Sequence, residues 1–331
     1  MSVLDQKLKD AEHVAIIGHI RPDGDCTGAC LGLLNYLQAV YPQIEAEVFL
    51  EEPSVKFAYL KGFDQIQTVF SQERPYDLCV CLDSSDQERL GEGRKILELA
   101  KDSLCVDHHI TNTDFARTNV VKPDASSTSE VLYGLLEEDK VTKEVAECLY
   151  TGIIHDTGVF KYPCTSPETM TIAGKLMSTG IDFSRIIDGS FYQKTYVQNQ
   201  ILGRALLESV TFLEGKCIFS VVRLKDMKFY SVTSQDLDGI VEQLRLTKGV
   251  ECAIFLYEIE SQIFKVSLRS KYVLDVSKIA SYFGGGGHVR AAGCTMSGSI
   301  YDVVNNLSEH IERQLKELEP KEDGEQKSAE D

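Results

Sequence analysis

Acidic and histidine side chains follow three short apolar runs in the first half of the chain. If these runs are parallel strands, their carboxyl ends meet at one edge of a sheet, where open α/β sheets bind ligands. Carboxylate and imidazole donors together suit Mn²⁺, with Co²⁺ or Fe²⁺ as alternatives, better than an all-oxygen Mg²⁺ shell. The side chains are His19, Asp23 and Asp25 after the first run, Asp83 after the second, and Asp107, His108 and His109 after the third.

The number of candidate ligands favours two metal ions rather than one. Asp156 ends a predicted helix and could join the same group. Two ions about 3.5–4 Å apart can activate a water molecule and stabilise both the attacking and the leaving oxygen of a phosphoryl displacement. One carboxylate has to reach both ions, and Asp83 is the candidate because it stands alone after a central strand.

Taken singly, several of these residues have a simpler interpretation. Residues 22–25, Pro-Asp-Gly-Asp, are also turn and helix-cap chemistry, and an isolated Asp83 is more often a cap than a ligand. Asn112 could serve only to stabilise the turn after the histidines. His155 is either an interior histidine or a third imidazole near the metals.

A second signal is a glycine run near the C-terminus. Backbone N–H groups of glycine can approach an anion closely because no Cβ intervenes. A forked guanidinium at the end of a predicted strand could pair with phosphate as well. Taken alone, four glycines more often mean a flexible loop and a lone arginine a solvated residue. The candidate phosphate-binding residues are Arg269, Gly284, Gly285, Gly286, Gly287 and His288.

The first half of the chain alternates apolar runs with helical spacing. Strands are predicted at 14–18, 47–50, 77–82 and 103–106, and helices at 26–40, 93–100, 127–138, 143–154 and 167–179. Continuous apolar strands separated by helices predict an α/β fold whose N-terminal sheet is mostly parallel and sandwiched by helices.

The pattern changes between about residues 190 and 210. We expect a metal-binding domain at 1–190, a helical linker at 191–210, a smaller α/β C-terminal domain at 211–318 and an acidic, disordered tail at 319–331. The smaller domain contains predicted strands at 216–222, 251–257 and 263–268 and a helix at 301–318. Because the two motifs lie far apart in sequence, a shared function requires the two domains to close over one substrate.

Composition limits the classes of partner. The chain has 331 residues and a net charge of −17, which argues against duplex nucleic acid because that needs a basic face. A small nucleotide or a short single-stranded RNA still fits, since bound metal ions can supply positive charge. No run approaches a membrane span. Ten scattered cysteines predict reduced, packed thiols in a cytoplasmic protein, and a homodimer is left open.

The first four of five motifs, built on His19, Asp83, Asp107 and Asp156, resemble the DHH phosphoesterase superfamily. The fifth is similar to the signature of the first type of DHH-associated C-terminal domain, and the two-domain arrangement is similar to the nanoRNase/pAp phosphatase branch. The chain departs from the family pattern at Cys26-Thr27-Gly28-Ala29, where a small residue followed by Gly-Ser is commoner. The motifs are His19-x-x-Pro22-Asp23-x-Asp25, Asp83, Asp107-His108-His109-x-x-Asn112, Asp156-Thr157-Gly158 and Gly285-Gly286-Gly287-His288-x-x-Ala291-Ala292-Gly293.

The resemblance implies a role for each matching residue. His19, Asp23 and Asp83 would hold the first metal, and Asp25, Asp83, His108 and Asp156 the second. Asp107 would orient a ligand from outside the metal shell, and His109 would face the scissile phosphate. Arg269, Asn112, the glycine run and His288 would bind substrate.

The same resemblance implies a manganese-dependent oligoribonuclease that degrades very short RNA and dephosphorylates 3′-phosphoadenosine 5′-phosphate (pAp). Related enzymes instead cleave cyclic di-AMP or its linear product pApA, which makes that activity the first alternative. A nucleotide-binding sensor without catalysis is an alternative from another class. An exopolyphosphatase or pyrophosphatase fits less well, because those members of the superfamily carry a different C-terminal domain.

Overall fold

A computed structural model of the protein describes residues 2–70 and 75–318. The chain divides into two compact units, Met1–Gln193 and Lys194–Asp331. The tail predicted at 319–331 lies outside the described residues. Each unit is built on one sheet, and the sequence prediction of an α/β fold with two sheets is confirmed.

The first unit contains a five-stranded parallel sheet in the order β2-β1-β3-β4-β5. Its strands are β1 (His13–Ile17), β2 (Glu45–Phe49), β3 (Leu78–Leu82), β4 (Asp102–Asp107) and β5 (Thr118–Val121). The chain leaves β1 for β2 and then returns to β3 on the other side of β1. This reversal opens a crevice at the carboxyl ends of β1 and β3, the usual position of a ligand site in such sheets.

Helices cover both faces of this sheet. They are α1 (Val3–Leu8), α2 (Gly24–Val40), α3 (Arg94–Leu99), α4 (Thr128–Tyr133), α5 (Lys143–Asp156), α6 (Pro167–Ser178) and α7 (Phe183–Ile187). Successive strand residues enter opposite cores: Ile16 packs with α2 and α5, whereas Ile17 packs with Ile96 of α3. Burial on both faces explains why the strands are apolar without alternation.

The helix predicted at 127–138 is shorter than expected, and that boundary was wrong. Ser127 caps α4 by accepting a hydrogen bond from the Glu130 N–H, as the sequence suggests. The helix ends at Tyr133 because Gly134 follows, and glycine is a poor helix former. Residues 138–140 form a separate short 3₁₀ turn.

The second unit contains a mixed six-stranded sheet in the order β10-β11-β9-β8-β7-β6. Its strands are β6 (Val210–Phe212), β7 (Cys217–Val222), β8 (Cys252–Glu260), β9 (Ile263–Ser270), β10 (Gly286–His288) and β11 (Ala291–Ser297). Among these described strands, β7 and β8 alone pair in parallel. The helices of the unit are α8 (Tyr196–Leu207), α9 (Leu224–Tyr230), α10 (Ile240–Arg245), α11 (Val276–Tyr282) and α12 (Ile300–Leu318).

The helical linker predicted at 191–210 contains α8, which packs into the second unit through Ile201 and Ala205. Helices α11 and α12 cover the opposite face of the same sheet, where Ile279 and Leu307 join the core. All ten cysteines are free, and Cys164 is the one that is exposed. Within the described residues, no helix combines the length and apolar character needed to cross a bilayer.

Candidate metal centre and substrate-binding residues

The predicted metal ligands of the first unit meet at the crevice of the parallel sheet. His19 follows β1, Asp83 follows β3 and His108 follows β4. These strands are neighbours in the sheet, so short extensions beyond their ends bring the three side chains together. Asp25 and Asp156 reach the same place from α2 and α5.

Asp83 lies at the centre of the group and is only 2% exposed. Its Oδ2 is 3.3 Å from His19 Nε2, while its Oδ1 is 3.7 Å from His108 Nε2. The Thr128 hydroxyl donates a hydrogen bond of 2.9 Å to Oδ1. The two oxygens of one carboxylate therefore face ligand groups on opposite sides.

The backbone of Asp83 adopts the left-handed conformation, with φ of 58°. This region costs a non-glycine residue on the order of 1–3 kcal/mol, although aspartate and asparagine tolerate it better than most. The Asp83 N–H still bonds to the Val106 carbonyl at 3.2 Å, which ties the residue to β4. The conformation turns the side chain out of the strand direction and into the crevice.

Both histidines of the centre present Nε2 to the carboxylates. His19 Nδ1 lies 2.8 Å from the Ile20 carbonyl, which can only accept, so Nδ1 carries the hydrogen. His108 Nδ1 lies 3.4 Å from the Ala125 carbonyl, and its Nε2 is 3.1 Å from Asp156 Oδ2. A neutral imidazole held in this way directs its Nε2 lone pair at a metal.

Asp25 is fully buried in the first turn of α2. Its two oxygens accept backbone N–H bonds from Thr128 at 2.6 Å and from Ser129 at 3.0 Å. The carboxylate is therefore held by the start of α4, which approaches it from a distant part of the sequence. These hydrogen bonds fix the direction in which the remaining lone pairs point.

Glycines let α2 and α5 approach closely enough to bring Asp25 near Asp156. A Cβ at Gly28 would lie 3.0 Å from the Gly152 nitrogen, and a Cβ at Gly152 would lie 2.5 Å from Asp25 Oδ1. Neither position has space for a side chain. Helix–helix contact between these two glycine-containing stretches therefore sets the separation of the two carboxylates.

The centre gathers buried carboxylates that repel one another. Burial and the charges of Asp83 and Asp156 raise the pKa of Asp25. Burial, followed by the charge of Asp83, raises the pKa of Asp156 to about 6, although its hydrogen bond to His108 opposes this shift. Positive charge placed here would relieve both effects.

The neighbouring carboxylates stabilise the protonated form of both histidines, His19 and His108. Burial alone would lower the pKa of His108, but the hydrogen bond to Asp156 and the charge of Asp25 raise it to about 10. Burial also opposes charge on His19, yet its contacts with Asp23 and Asp83 raise its pKa. Protonated imidazoles thus balance the negative charge of the neighbouring carboxylates. Bound metal ions would balance the same charge.

The donor set fits divalent transition metals. Among the residues that the structure describes, three groups of side chains have ligand atoms within 4.8 Å of one another: His19 with Cys26 and Asp83, Asp83 with His108 and His109, and Asp25 with His108 and Asp156. Asp83 belongs to two of the groups and His108 to two. Carboxylate and imidazole donors in this number are typical of Mn²⁺, Fe²⁺ or Co²⁺ sites.

Asp23 occupies the edge of the centre. Its Oδ1 is 3.7 Å from His19 Nε2 and accepts the N–H groups of Asp25 and Cys26 at the start of α2. Burial opposes the shift, but the hydrogen bond with His19 lowers the pKa of Asp23 to about 2. Asp23 therefore caps α2, as the simpler interpretation expected. The same carboxylate also lies beside His19.

Asp107 orients His109. The His109 Nδ1–H donates to Asp107 Oδ1 at 2.7 Å, and the Asn112 amide donates to Asp107 Oδ2 at 2.6 Å. Burial opposes ionisation of Asp107, but these two hydrogen bonds lower its pKa. Asp107 and Asn112 together hold the His109 ring, and the substrate-binding role of Asn112 stays a prediction.

His155 is an interior histidine that packs among aromatic side chains. Its Nε2 is 3.2 Å from the Ser190 hydroxyl, and its ring packs edge-on against Phe57 and Phe191. Burial lowers its pKa to about 4, so the ring is neutral at ordinary pH. A Cβ at Gly24 would collide with this ring, so Gly24 is required next to it.

The glycine run of the second unit has a fixed backbone. Gly284 continues the end of α11, and Gly286 and Gly287 lie in β10, an edge strand paired with β11. A Cβ at Gly285 would lie 2.7 Å from the Cys294 Cα, and one at Gly287 would lie 2.5 Å from the Ala291 carbonyl oxygen. These glycines are required by close strand contact, and β10 is exposed along its length.

Arg269 lies on β9 opposite Ala291 of β11. One guanidinium nitrogen donates to the Leu268 carbonyl at 3.0 Å. His288 closes β10, and Arg290 follows it, with its guanidinium bonded to the Leu274 carbonyl at 2.8 Å. The sheet thus places Arg269 beside the strand that pairs with the glycine run.

Sequence reasoning missed Thr128 and Cys26. Thr128 contacts two of the central carboxylates, and Cys26 places its sulfur among the ligands of the first group. The run of four hydroxyl residues at 126–129 offered a weak signal for Thr128. Cys26 gave none, because a cysteine near the start of an apolar helix ordinarily indicates a packed thiol.

Comparison with known proteins agrees with this architecture. Residues 13–153 match the DHH family, N-terminal domain, and residues 214–317 match the DHHA1 domain. Two relatives carry the name bifunctional oligoribonuclease and PAP phosphatase NrnA. The one from Thermus thermophilus is 29% identical over 306 residues, which is 91% of this chain and 90% of that protein. The one from Bacillus subtilis is 28% identical over 316 residues, covering 91% and 94%.

A solved structure with a similar fold is that of an exopolyphosphatase-related protein from Bacteroides fragilis. It superposes with a TM-score of 0.86 at 25% sequence identity, covering 96% of both chains. The likeness extends over both units.

Proposed function

We propose that this chain, whose residues 13–153 match the DHH family, N-terminal domain, and whose residues 214–317 match the DHHA1 domain, is a two-metal phosphoesterase. Its substrates are very short oligoribonucleotides, cleaved to mononucleotides, and pAp, converted to AMP. The names of the Thermus and Bacillus relatives support this choice of substrates. The metal ligands are His19, Asp23, Asp25, Asp83, His108 and Asp156.

The observation that carries the proposal is the position of Asp83. Its carboxylate faces His19 through one oxygen and His108 through the other, at 3.3 and 3.7 Å. A shared carboxylate is what a pair of ions needs to stay at the short separation used in phosphoryl transfer. The strained backbone at Asp83 supports a functional role, since strain of this kind concentrates at active sites.

Bound divalent ions would supply polarisation of the phosphoryl oxygens and a lowered pKa for an attacking water molecule. The protein side chains do the rest. Asp107 accepts from His109 Nδ1 and so leaves Nε2 of that ring free of this bond, with the side chain 29% exposed. Nε2 is the ring atom of His109 left for the substrate, and when it carries a proton it can hydrogen-bond to a phosphate oxygen or protonate the leaving oxygen.

We assign substrate binding to the second unit, at 211–318, and the metal centre to the region 1–190. Arg269 and the backbone N–H groups of the glycine run bind a phosphate of the substrate. The exposed edge strand β10 supports this role because its glycines leave peptide groups accessible. Because this surface would contact phosphates and not bases, it suits RNA substrates of varied sequence.

Manganese is the first metal to test in both sites, with Co²⁺ and Fe²⁺ as alternatives. The donor sets contain imidazole nitrogen, which Mg²⁺ and Ca²⁺ accept poorly. Manganese supports oxygen-rich coordination together with histidine, and this matches the group formed by Asp25, His108 and Asp156.

A product time course tests the proposal. Purified protein loaded with Mn²⁺ is offered pAp, pApA, a pentanucleotide RNA and cyclic di-AMP side by side, and products are separated by chromatography. Phosphate release from pAp together with mononucleotides from the RNA is the expected result. A metal-stripped sample is the control.

Three outcomes would contradict the assignment. Rapid conversion of cyclic di-AMP to pApA with slow turnover of pAp would place the activity on cyclic dinucleotides instead. Efficient degradation of long single strands without cleavage of dinucleotides would show that the substrate is not short RNA. Turnover of none of the four, with metal bound, would favour a binding protein without catalysis.

A further inference from the structure

The first ligand group of the metal centre contains a sulfur atom. The Cys26 Sγ, a nitrogen of His19 and an oxygen of Asp83 all lie within 4.8 Å of one another. The three residues are 0%, 4% and 2% exposed, so no bulk solvent separates them. The other groups, around His108, contain only oxygen and nitrogen donors.

Local packing directs this sulfur at the end of β1. Cys26 lies in the first turn of α2, and its N–H donates to Asp23 Oδ1 at 3.1 Å, which fixes the helix start beside the centre. A Cβ at Gly18 would collide with the Cys26 sulfur, so the sulfur occupies the space that a side chain at Gly18 would fill. The residue after Gly18 is His19.

Cys30, one turn further along α2, provides a comparison within the same helix. Its sulfur also faces Gly18, at 3.3 Å from where a Cβ would be. It belongs to none of the ligand groups found among the described residues. Cys26 and Cys30 are both fully buried, so burial does not distinguish them, whereas position relative to His19 and Asp83 does.

We propose that the Cys26 sulfur is a ligand of the metal ion held by His19 and Asp83, so that this site selects a softer ion than the site of Asp25, His108 and Asp156. The inference rests on the proposed metal centre and adds to it a difference between its two halves. Thiolate sulfur favours Co²⁺, Fe²⁺ or Zn²⁺ over Mn²⁺. On binding, the thiol proton passes to solvent and the sulfur donates a lone pair to the ion.

A cobalt titration tests this without relying on turnover. Sulfur bonded to Co²⁺ gives an intense charge-transfer band in the near ultraviolet, which oxygen and nitrogen ligands do not give. Wild-type protein and the variants Cys26→Ala, Cys26→Ser and Cys30→Ala are titrated with Co²⁺, and bound metal is counted in each. Circular dichroism verifies folding, and the Cys26→Ser protein is the nearly isosteric variant.

The band should appear in wild type and in Cys30→Ala, and should be absent from both Cys26 variants. Cobalt affinity at one site should fall at least about tenfold in Cys26→Ala, since loss of even an outer partner of a ligand costs that much. X-ray absorption of the wild-type cobalt protein should show a sulfur scatterer at about 2.3 Å, as for thiolate bound to zinc.

Two equivalents of bound cobalt without the band in wild type would overturn the assignment of Cys26 and leave the two-metal centre intact. A band that persists in Cys26→Ala would also overturn it, since the sulfur would then belong to another cysteine. No bound cobalt at any concentration would overturn both this inference and the proposed metal centre.

Discussion

Asp107 and His109 form a hydrogen-bonded pair in which Asp107 Oδ1 accepts from His109 Nδ1 at 2.7 Å. The pair fixes both the tautomer and the direction of the ring. Asn112 completes it by donating to the other oxygen of Asp107. Nε2 of His109 is therefore the ring atom that remains for a substrate beside the candidate metal ligands.

We predict that His109→Gln lowers kcat by about 10²–10⁴-fold, the usual contribution of a general acid. Asp107→Asn should also lower kcat, because a neutral amide stabilises the protonated, cationic ring less than a carboxylate does. The double variant should be no worse than the more severe single variant, since both act through one proton. Metal content and KM for pAp should stay near wild type.

Steady-state kinetics and metal analysis of the three proteins check this prediction. Additive losses in the double variant would contradict it. Loss of metal in His109→Gln would show that the ring is a ligand instead of a proton donor.

Close packing of α2 against α5 makes Gly152 a sensitive position. Gly152→Ala would place a methyl group 2.0 Å from the Ser129 hydroxyl oxygen and 2.5 Å from Asp25 Oδ1, and the Ser129 N–H is itself bonded to Asp25. We expect overpacking to cost roughly 1–3 kcal/mol of unfolding free energy and to weaken metal binding, because Asp25 is displaced. Urea unfolding and metal titration measure the two effects.

Gly174→Ala is the matched control. Gly174 is exposed within α6, and no described residue outside that stretch of helix comes within 4 Å of the position that an alanine methyl group would take. Alanine is a better helix former than glycine, so this variant should be as stable as wild type or more stable by up to about 1 kcal/mol. Equal behaviour of the two variants would refute the packing argument.

Arg269 is predicted to hold a substrate phosphate. Arg269→Gln should raise KM for pAp by about 10- to 100-fold, as expected for loss of a charged hydrogen bond, without changing metal content. The KM of Arg269→Lys should lie between those of wild type and Arg269→Gln, because lysine keeps the positive charge but cannot form the paired hydrogen bonds of a guanidinium. Arg313→Gln, on the exposed surface of α12, is the control and should match wild type. An unchanged KM in Arg269→Gln would remove this residue from the substrate site.

Asp77 gives a pH-dependent contribution to the stability of the first unit. Its carboxylate accepts from the Lys101 ammonium at 2.7 Å and from the Glu12 and His13 N–H groups at 3.0 Å. The hydrogen bond to Lys101, followed by that to His13, lowers the pKa of Asp77 to about 2, from an ordinary value of 3.8. Because the folded form binds the proton less readily, the stabilisation is present above pH 3.8.

The stabilisation contributed by ionised Asp77 should be lost as the pH falls from about 4 towards 2. We expect Asp77→Asn to be less stable than wild type near neutral pH by about 1 kcal/mol, a value kept small because Lys101 is exposed to solvent. The difference should shrink as the pH approaches 2. Urea unfolding across this pH range measures it, and a difference that does not depend on pH would contradict the assignment.

The sequence was sufficient to place the candidate metal ligands at strand ends, because parallel strands bring those ends to one edge of the sheet. His19, Asp83 and His108 each follow an apolar run that is easily recognised, and the structure brings them together. The role of Thr128 could not be predicted in this way. Its contacts to Asp25 and Asp83 join residues 103 and 45 positions apart, and no local pattern encodes them.

The second unit contains a strand that could not be predicted from the sequence. The strand β11 was not predicted, because Ala291–Ser297 is rich in small residues and lacks the β-branched and aromatic side chains that mark most strands, Thr295 excepted. Those small residues are what allow β10 to pair closely against it. Cys26 illustrates the same difficulty, since its neighbours in space decide whether a buried thiol is packing or a ligand.

The central claim is that Asp83 joins two metal ions, and the most direct test is metal content in Asp83→Asn. Asparagine tolerates the left-handed backbone at this position, so the variant should fold. We predict two ions per chain in wild type, at most one in Asp83→Asn, and no measurable hydrolysis of pAp by the variant. A folded Asp83→Asn protein that retains two ions and hydrolyses pAp at the wild-type rate would contradict the account.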